Sequence, residues 1–315
     1  TKQMFVNWLN KQIFYCIMII IVNAGGVFML HFLENDILKI AVDTHGAELS
    51  SIFNKKENKE MLWQGDPAFW GRKSPVLFPL VGKYKDGKTT YNEKEYSLGQ
   101  HGFARDSEFT LIEKTENKLA FELTSNEETL AKYPFKFRLI CSFELKNDKI
   151  IVGWNVENID NKKIYFSIGA HPAFYCSKGE TMLEMNGKNI KYSLINNDGL
   201  YTSKKYGIKS SFVLHDKVFD NDALIIEDSG VTEISLVWCN PYGKSKFITV
   251  KFDAPLFGIW SPAKKNAPFV CIEPWYGRCD AEDFEGDITE REWSNSLDIG
   301  EKWYKEYEII VWPLR

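Results

Sequence analysis

Phe137-Arg138-Leu139-Ile140-Cys141-Ser142-Phe143-Glu144-Leu145, then Lys146-Asn147-Asp148-Lys149, then Ile150-Ile151-Val152-Gly153-Trp154-Asn155-Val156: two runs rich in alternating, β-branched and aromatic residues are joined by four polar ones. Residues of this kind fit the pleated, half-buried surface of a strand, and a short polar link containing Asn-Asp is a hairpin signal. Working outward, the same pattern recurs at Ile37–Val42, Leu49–Phe53 and Leu119–Thr124. It continues at Lys163–Ile168, Thr232–Trp238, Lys246–Phe252, Pro268–Glu273 and Tyr304–Trp312. Turn clusters separate these runs, which is the all-β pattern. Helical periodicity is nearly absent; Glu127–Ala131 and Ala281–Phe284 allow a turn or two. No proline-rich linker, low-complexity tract or repeat divides the chain. The expected fold is therefore all-β, a single large antiparallel β-sandwich with very little helix, over residues 29–315.

The 315 residues are enough for one large all-β domain or two ordinary ones. A net charge of -4 argues against a general nucleic-acid partner, which needs a basic surface. Aromatics make up 15% of the chain, which favours strands and leaves flat rings free to stack on a sugar. The six cysteines (Cys16, Cys141, Cys176, Cys239, Cys271, Cys279) form no C-x-x-C and have no close pairing with histidine in sequence, so no metal is expected. Cys141, Cys239 and Cys271 read as small core hydrophobes, and a reducing cytoplasm is the simpler location.

Residues 1–28 do not match the rest. Ile13–Val22 is an unbroken apolar run after Lys2 and Lys11, with Val22-Asn23-Ala24 resembling a signal-peptide cleavage site. A spanning helix is disfavoured, because about 20 apolar residues are needed and Asn23-Ala24-Gly25-Gly26 interrupts the run. The preferred reading is an extension outside the working domain, with Gly25-Gly26-Val27-Phe28 encoded by a ribosome-binding sequence ahead of a start at Met29.

Chemistry concentrates in a few segments. Of five histidines, two sit in framed motifs: Gly99-Gln100-His101-Gly102-Phe103-Ala104-Arg105 and Ile168-Gly169-Ala170-His171-Pro172-Ala173-Phe174. Glycine around His101 permits a tight backbone, and Pro172 holds His171 extended. For each the plain alternative is a core or turn histidine bonded to a carbonyl. Glu273 is read as ending an apolar strand, Phe269-Val270-Cys271-Ile272-Glu273-Pro274. Burial there would raise its pKa and improve it as a base; the alternative is a structural ion pair with Arg278. Arg72 precedes a proline-bounded apolar strand, Ser74-Pro75-Val76-Leu77-Phe78-Pro79, and could give sugar hydroxyls planar hydrogen bonds or simply lie over Trp70. Asp222 opens a strand at Ala223-Leu224-Ile225 and could bind hydroxyls or merely form a turn.

Together these segments resemble the aldose 1-epimerase (galactose mutarotase) family, its LacX-like branch in particular. The resemblance rests on Arg72 before the proline-bounded strand, His101-Gly-Phe-Ala-Arg105, Gly169-Ala-His171-Pro, Gly258-Ile-Trp-Ser-Pro262 and Cys271-Ile-Glu273-Pro-Trp-x-Gly277, in that order. It implies a β-supersandwich that uses no cofactor and binds a hexose in an open cleft. It further implies Glu273 as general base at the anomeric hydroxyl, His171 as general acid at the ring oxygen, and Arg72, His101 and Asp222 as sugar-binding groups. A hexose-6-phosphate 1-epimerase is the near alternative, with Arg72, Lys73, Lys83, Lys85 and Arg105 available for a phosphate. A non-catalytic sugar-binding module would lack the His-His-Glu set. A glycosidase would need a second carboxylate beside Glu273.

Overall fold

A computed structural model of the chain describes residues 19–23, 26–240 and 243–313. The opening hairpin forms as Phe137–Lys146 paired with Lys149–Asn158, in register from Phe137 against Asn158 to Lys146 against Lys149. Alternation decides which side is buried: Leu139, Cys141, Phe143 and Leu145 point inward. The hairpin lies within an antiparallel nine-stranded sheet. Its strand order is Ser211–Val213, Thr181–Met185, Glu233–Asn240, Gly243–Phe252, Lys302–Val311, Lys149–Asn158, Phe137–Lys146, Lys118–Thr124 and Thr110–Lys114.

A second sheet runs Leu224–Glu227, Leu256–Trp260, Phe269–Tyr276, Ile168–Ala170 and Val76–Leu77, with Ala173–Tyr175 also paired to Phe269–Tyr276. A third, five-stranded sheet includes Leu38–Asp43 and Glu48–Asn54. One apolar cluster joins all three, with Phe143 and Trp154 from the first, Phe257 and Ile272 from the second and Ile40 from the third. The longest helix among the described residues is the six-residue Glu127–Lys132, capped by Asn126. The antiparallel, nearly helix-free sandwich expected from the sequence is the fold observed.

Local expectations differ in four places. Glu273 does not end its strand, which continues through Pro274 to Tyr276. A proline breaks a sheet only where its missing N–H has a waiting acceptor, and the neighbouring segment is interrupted alongside, at His171-Pro172. Lys163–Ile168 divides into Ile164–Phe166 and Ile168–Ala170, which join different sheets. Asp222 lies in a turn at φ 68° rather than opening the strand that begins at Leu224. Ala281–Phe284 forms a bridge and a turn without helix.

At the N-terminus, strand Gly26–Glu34 crosses the expected boundary at Met29 and pairs with Ile19–Asn23. The readings of the remainder of residues 1–28, as signal segment or as untranslated lead, lie outside the described residues. No helix among the described residues is long and apolar enough to cross a membrane.

Candidate active site

Strand Phe269–Tyr276 is buried along its whole length, and its two faces do different work. Val270, Ile272 and Tyr276 enter the sandwich core. The alternate set, Cys271, Glu273 and Trp275, points the other way, toward the cleft. The flanking registers place the partners. Gly169 pairs with Trp275 and Ala173 with Cys271, so His171 falls opposite Glu273. On the other side Gly258 pairs with Glu273. Glycine is needed there for space: a Cβ on Gly258 would lie 2.5 Å from the Trp275 indole, and one on Gly169 2.6 Å from the same ring.

His171 Nε2 lies 3.3 Å from Glu273 Oε2, and the two side chains are 9% and 1% exposed. Rings hold the imidazole. Trp70 stacks on it with centroids 4.7 Å apart, while Trp260 and His101 meet it edge-on at 5.4 and 5.7 Å. His171 Nδ1 and both Glu273 oxygens have no hydrogen-bond partner among the described residues. Burial lowers the His171 pKa to about 3. Burial, reinforced by the Asp222 charge, pushes the Glu273 carboxyl well above the usual carboxylate range. The Trp275 indole N–H acts in the opposite sense on Glu273, although it stands outside hydrogen-bonding geometry. Both shifts disfavour the ion pair: burial favours the neutral imidazole and makes the carboxyl hold its proton to higher pH than an ordinary carboxylate does. This differs from the ordering expected if His171 kept an ordinary histidine pKa.

His101 adopts φ 67°, and Gly102 after it has φ 72° and no room for a Cβ, which would lie 2.3 Å from the Phe78 carbonyl oxygen. The backbone N–H of Gly82 donates to His101 Nδ1 at 3.1 Å. A neutral ring that accepts at Nδ1 carries its proton on Nε2, leaving a donor on that nitrogen. Burial and the neighbouring His171, Arg105 and Arg72 hold the His101 pKa well below the usual histidine value.

A cavity of about 270 Å³ brings together His101, Arg105, His171, Asp222 and Glu273. Trp70, Trp260 and Trp275 wall it. Sequence reading took Trp70 only as a ring under Arg72 and Trp260 and Trp275 only as motif residues, and placed none of them in the site, although Trp275 is recognisable as the i+2 neighbour of Glu273 on one strand face. Arg72 is not among the lining residues; its Nη2 pairs with Asp106 Oδ1 at 2.7 Å. Its charge still reaches both histidines. Arg105 Nη2 donates to the Gln100 carbonyl at 2.6 Å, and its buried Nε makes no hydrogen bond but stands 3.7 Å from Asp106 Oδ2. Asp222 Oδ1 accepts from the Ala223 N–H at 2.8 Å, so the turn role and the cavity position coexist. The suggested ion pair between Glu273 and Arg278 does not form, because Arg278 binds Glu227 at 2.7 Å and also Glu292. Of the other basic residues, Lys85 pairs with Glu285 at 2.5 Å, and Lys73 and Lys83 contact oxygens outside the cavity. Sequence spacing argued against a metal cluster, yet the fold places ligand atoms of His171, Cys271 and Glu273 within 4.8 Å of one another.

A large antiparallel sandwich with this histidine–carboxylate cleft has the galactose mutarotase-like fold. The chain belongs to the aldose 1-epimerase family, whose model, described as aldose 1-epimerase, matches residues 29–292. It is 31% identical over 278 residues to the plasmid-encoded protein LacX of Lactococcus lactis subsp. lactis, covering 82% of this chain and 91% of that protein. A crystallised galactose mutarotase related enzyme from Lactobacillus acidophilus superposes with TM-score 0.86 at 33% identity, covering 90% of this chain and 98% of its own. A galactose mutarotase-like protein from Lactobacillus casei gives TM-score 0.84 at 28% identity, with 90% and 99% covered. The chain is thus an isomerase of the epimerase type that acts on a sugar.

Proposed function

We propose that the enzyme interconverts the α and β anomers of a free hexose such as galactose or glucose by acid–base opening and closure of the ring. The observation that carries this reading is the 3.3 Å approach of His171 Nε2 to Glu273 Oε2 in the cleft. The two oxygens that must exchange protons, the anomeric hydroxyl and the ring oxygen, sit on one carbon. An acid and a base serving them must therefore be neighbours.

Glu273 has both oxygens free of protein donors. Sugar hydroxyls donating to it would favour the carboxylate form and release its proton to His171. The imidazolium then protonates the ring oxygen while Glu273 takes the proton from the anomeric hydroxyl, and the bond from C1 to the ring oxygen breaks. Rotation about the bond from C1 to C2 exposes the other face of the aldehyde, and the same groups return the protons as the ring closes. His101, through its Nε2 donor, Asp222 and Arg105 hold hydroxyls. Arg72 acts from behind Arg105, through the Asp106 that the two guanidiniums share. The free thiols of Cys141, Cys176, Cys239, Cys271 and Cys279 accord with work in a reducing compartment.

A hexose phosphate is the second reading, favoured by the Arg105 guanidinium at the cavity, whose Nε makes no hydrogen bond. Polarimetry on freshly dissolved α-galactose, α-glucose and glucose 6-phosphate separates the two; preference for the phosphate, falling steeply with salt, would select the second. Glu273→Gln and His171→Ala should each lower kcat at least about 10²-fold. Full activity in both variants would remove the acid–base assignment.

A further inference from the structure

We infer that the floor of the cleft is also an inhibitory metal site, in which His171, Cys271 and Glu273 together bind a soft divalent cation such as Zn²⁺. The inhibition rests on the mutarotase reading above; the binding does not.

Strand geometry brings the three ligands together. Cys271 and Glu273 are two apart on one strand and project to the same face, and the paired segments bring His171 opposite Glu273. One nitrogen, one sulfur and one carboxylate oxygen thus lie within 4.8 Å of one another, all three residues buried. Zinc bond lengths place the ligand atoms of a tetrahedral site roughly 3.4–3.6 Å apart. The His171–Glu273 separation is already 3.3 Å, and the remaining closure is on the order of 1 Å. No hydrogen bond need be broken at the carboxylate, since neither Glu273 oxygen has a protein partner.

Charge points the same way. A thiolate, a carboxylate and a neutral imidazole sum to two negative charges, which a divalent cation cancels, so the filled site puts no net charge into a buried space. Three protein ligands leave a fourth position, and it would open on the side of the cavity that His171 and Glu273 line. Cys271 approaches from beneath, in an apolar group with Trp63, Ala173 and Phe269. A mixed N, S, O set selects zinc or a similar borderline ion over magnesium or calcium, which prefer all-oxygen shells. The bound cation would occupy both the proposed acid and the proposed base.

The test uses the full chain after chelator treatment. Co²⁺ is added as a spectroscopic stand-in for Zn²⁺, because a thiolate ligand gives it a charge-transfer band in the near ultraviolet. The expected result is a band saturating at one cation per chain and bleached by Zn²⁺. Zinc should stop mutarotation, and chelator should restore it. Cys271→Ser and Cys271→Ala should keep metal-free mutarotation, lose the band, and need at least about 10²-fold more zinc for half inhibition. Cys279→Ser, at a cavity-lining thiol, and Cys176→Ser should keep the band and the wild-type sensitivity to zinc. No band, a band surviving both Cys271 variants, or unchanged zinc sensitivity in them overturns the proposal. If neither Cys271 variant folds by circular dichroism, loss or survival of the band in His171→Ala and Glu273→Gln decides instead. A wild-type chain that shows the band but no metal-free mutarotation would sink the functional reading and leave the metal site standing.

Discussion

His171 is held by rings rather than by hydrogen bonds. Catalytic and metal-binding histidines ordinarily fix one ring nitrogen with a carboxylate or carbonyl. Here Nδ1 has no partner among the described residues, and the face of Trp70 with the edges of Trp260 and His101 sets the ring plane. Such aromatic pairs contribute about 0.5–1.5 kcal/mol beyond burial. Trp70→Ala should therefore lower kcat by about tenfold at most, with Trp70→Phe recovering most of the loss and KM moving little. Polarimetric kinetics on the two variants check this; a loss in KM alone would assign Trp70 to sugar contact instead. His171 was legible because Pro172 follows it and His101 because glycine flanks it. Trp70 was not, since the sequence places it 101 positions before the ring it touches.

At the scale of elements, Phe269–Tyr276 is one strand with two duties, core on one face and cleft on the other. Period-two alternation makes that division readable once the strand is recognised. What the apolar run conceals is its extent, because Pro274 looks like a terminator until the neighbouring break at His171-Pro172 is known. The adjoining strand Leu256–Trp260 meets the same demand through Gly258, over which the Trp275 indole lies. Gly258→Ala should displace that indole and cost about 1–3 kcal/mol, with mutarotation falling in parallel. A denaturant midpoint and an activity both equal to wild type would show that the indole has another place to go. By contrast, the hairpin of Phe137–Lys146 and Lys149–Asn158 was readable to within two residues of its ends because turn and alternation are both local.

Across the whole molecule, buried titratable groups give stability a pH dependence of known sign. Glu273 has a folded pKa above its unfolded value of 4.5. Its contribution is fully present below about 4.5 and is lost as pH rises through the folded value. The buried imidazoles act in the other direction. His171 has a folded pKa lowered from 6.5 to about 3. Its contribution is full above about 6.5 and is lost progressively as pH falls toward 3. Glu273→Gln removes the first contribution and keeps the second, so the variant should gain stability relative to wild type on going from pH 5 to pH 8. Urea midpoints of both proteins at the two pH values test this; parallel movement would mean that the carboxyl is not raised.

The chain by itself determined the sheet-rich, nearly helix-free class, most strand positions, and the two framed histidines, because alternation, turn chemistry and the backbone limits of glycine and proline act over a few residues. Family membership was legible for a related reason: short motifs keep their order along the chain whatever the fold does with them. Only the tertiary structure decided which residues meet. It set His171 against Glu273, gave Arg278 to Glu227 and Glu292, paired Arg72 with Asp106 outside the cavity lining, and put Cys271, buried among apolar residues as expected, within reach of both His171 and Glu273. The meeting of His171 with Glu273 and Cys271 depends on strand register between segments about 100 residues apart. A register slip of one residue would turn every side chain to the opposite face, and no local pattern carries that information.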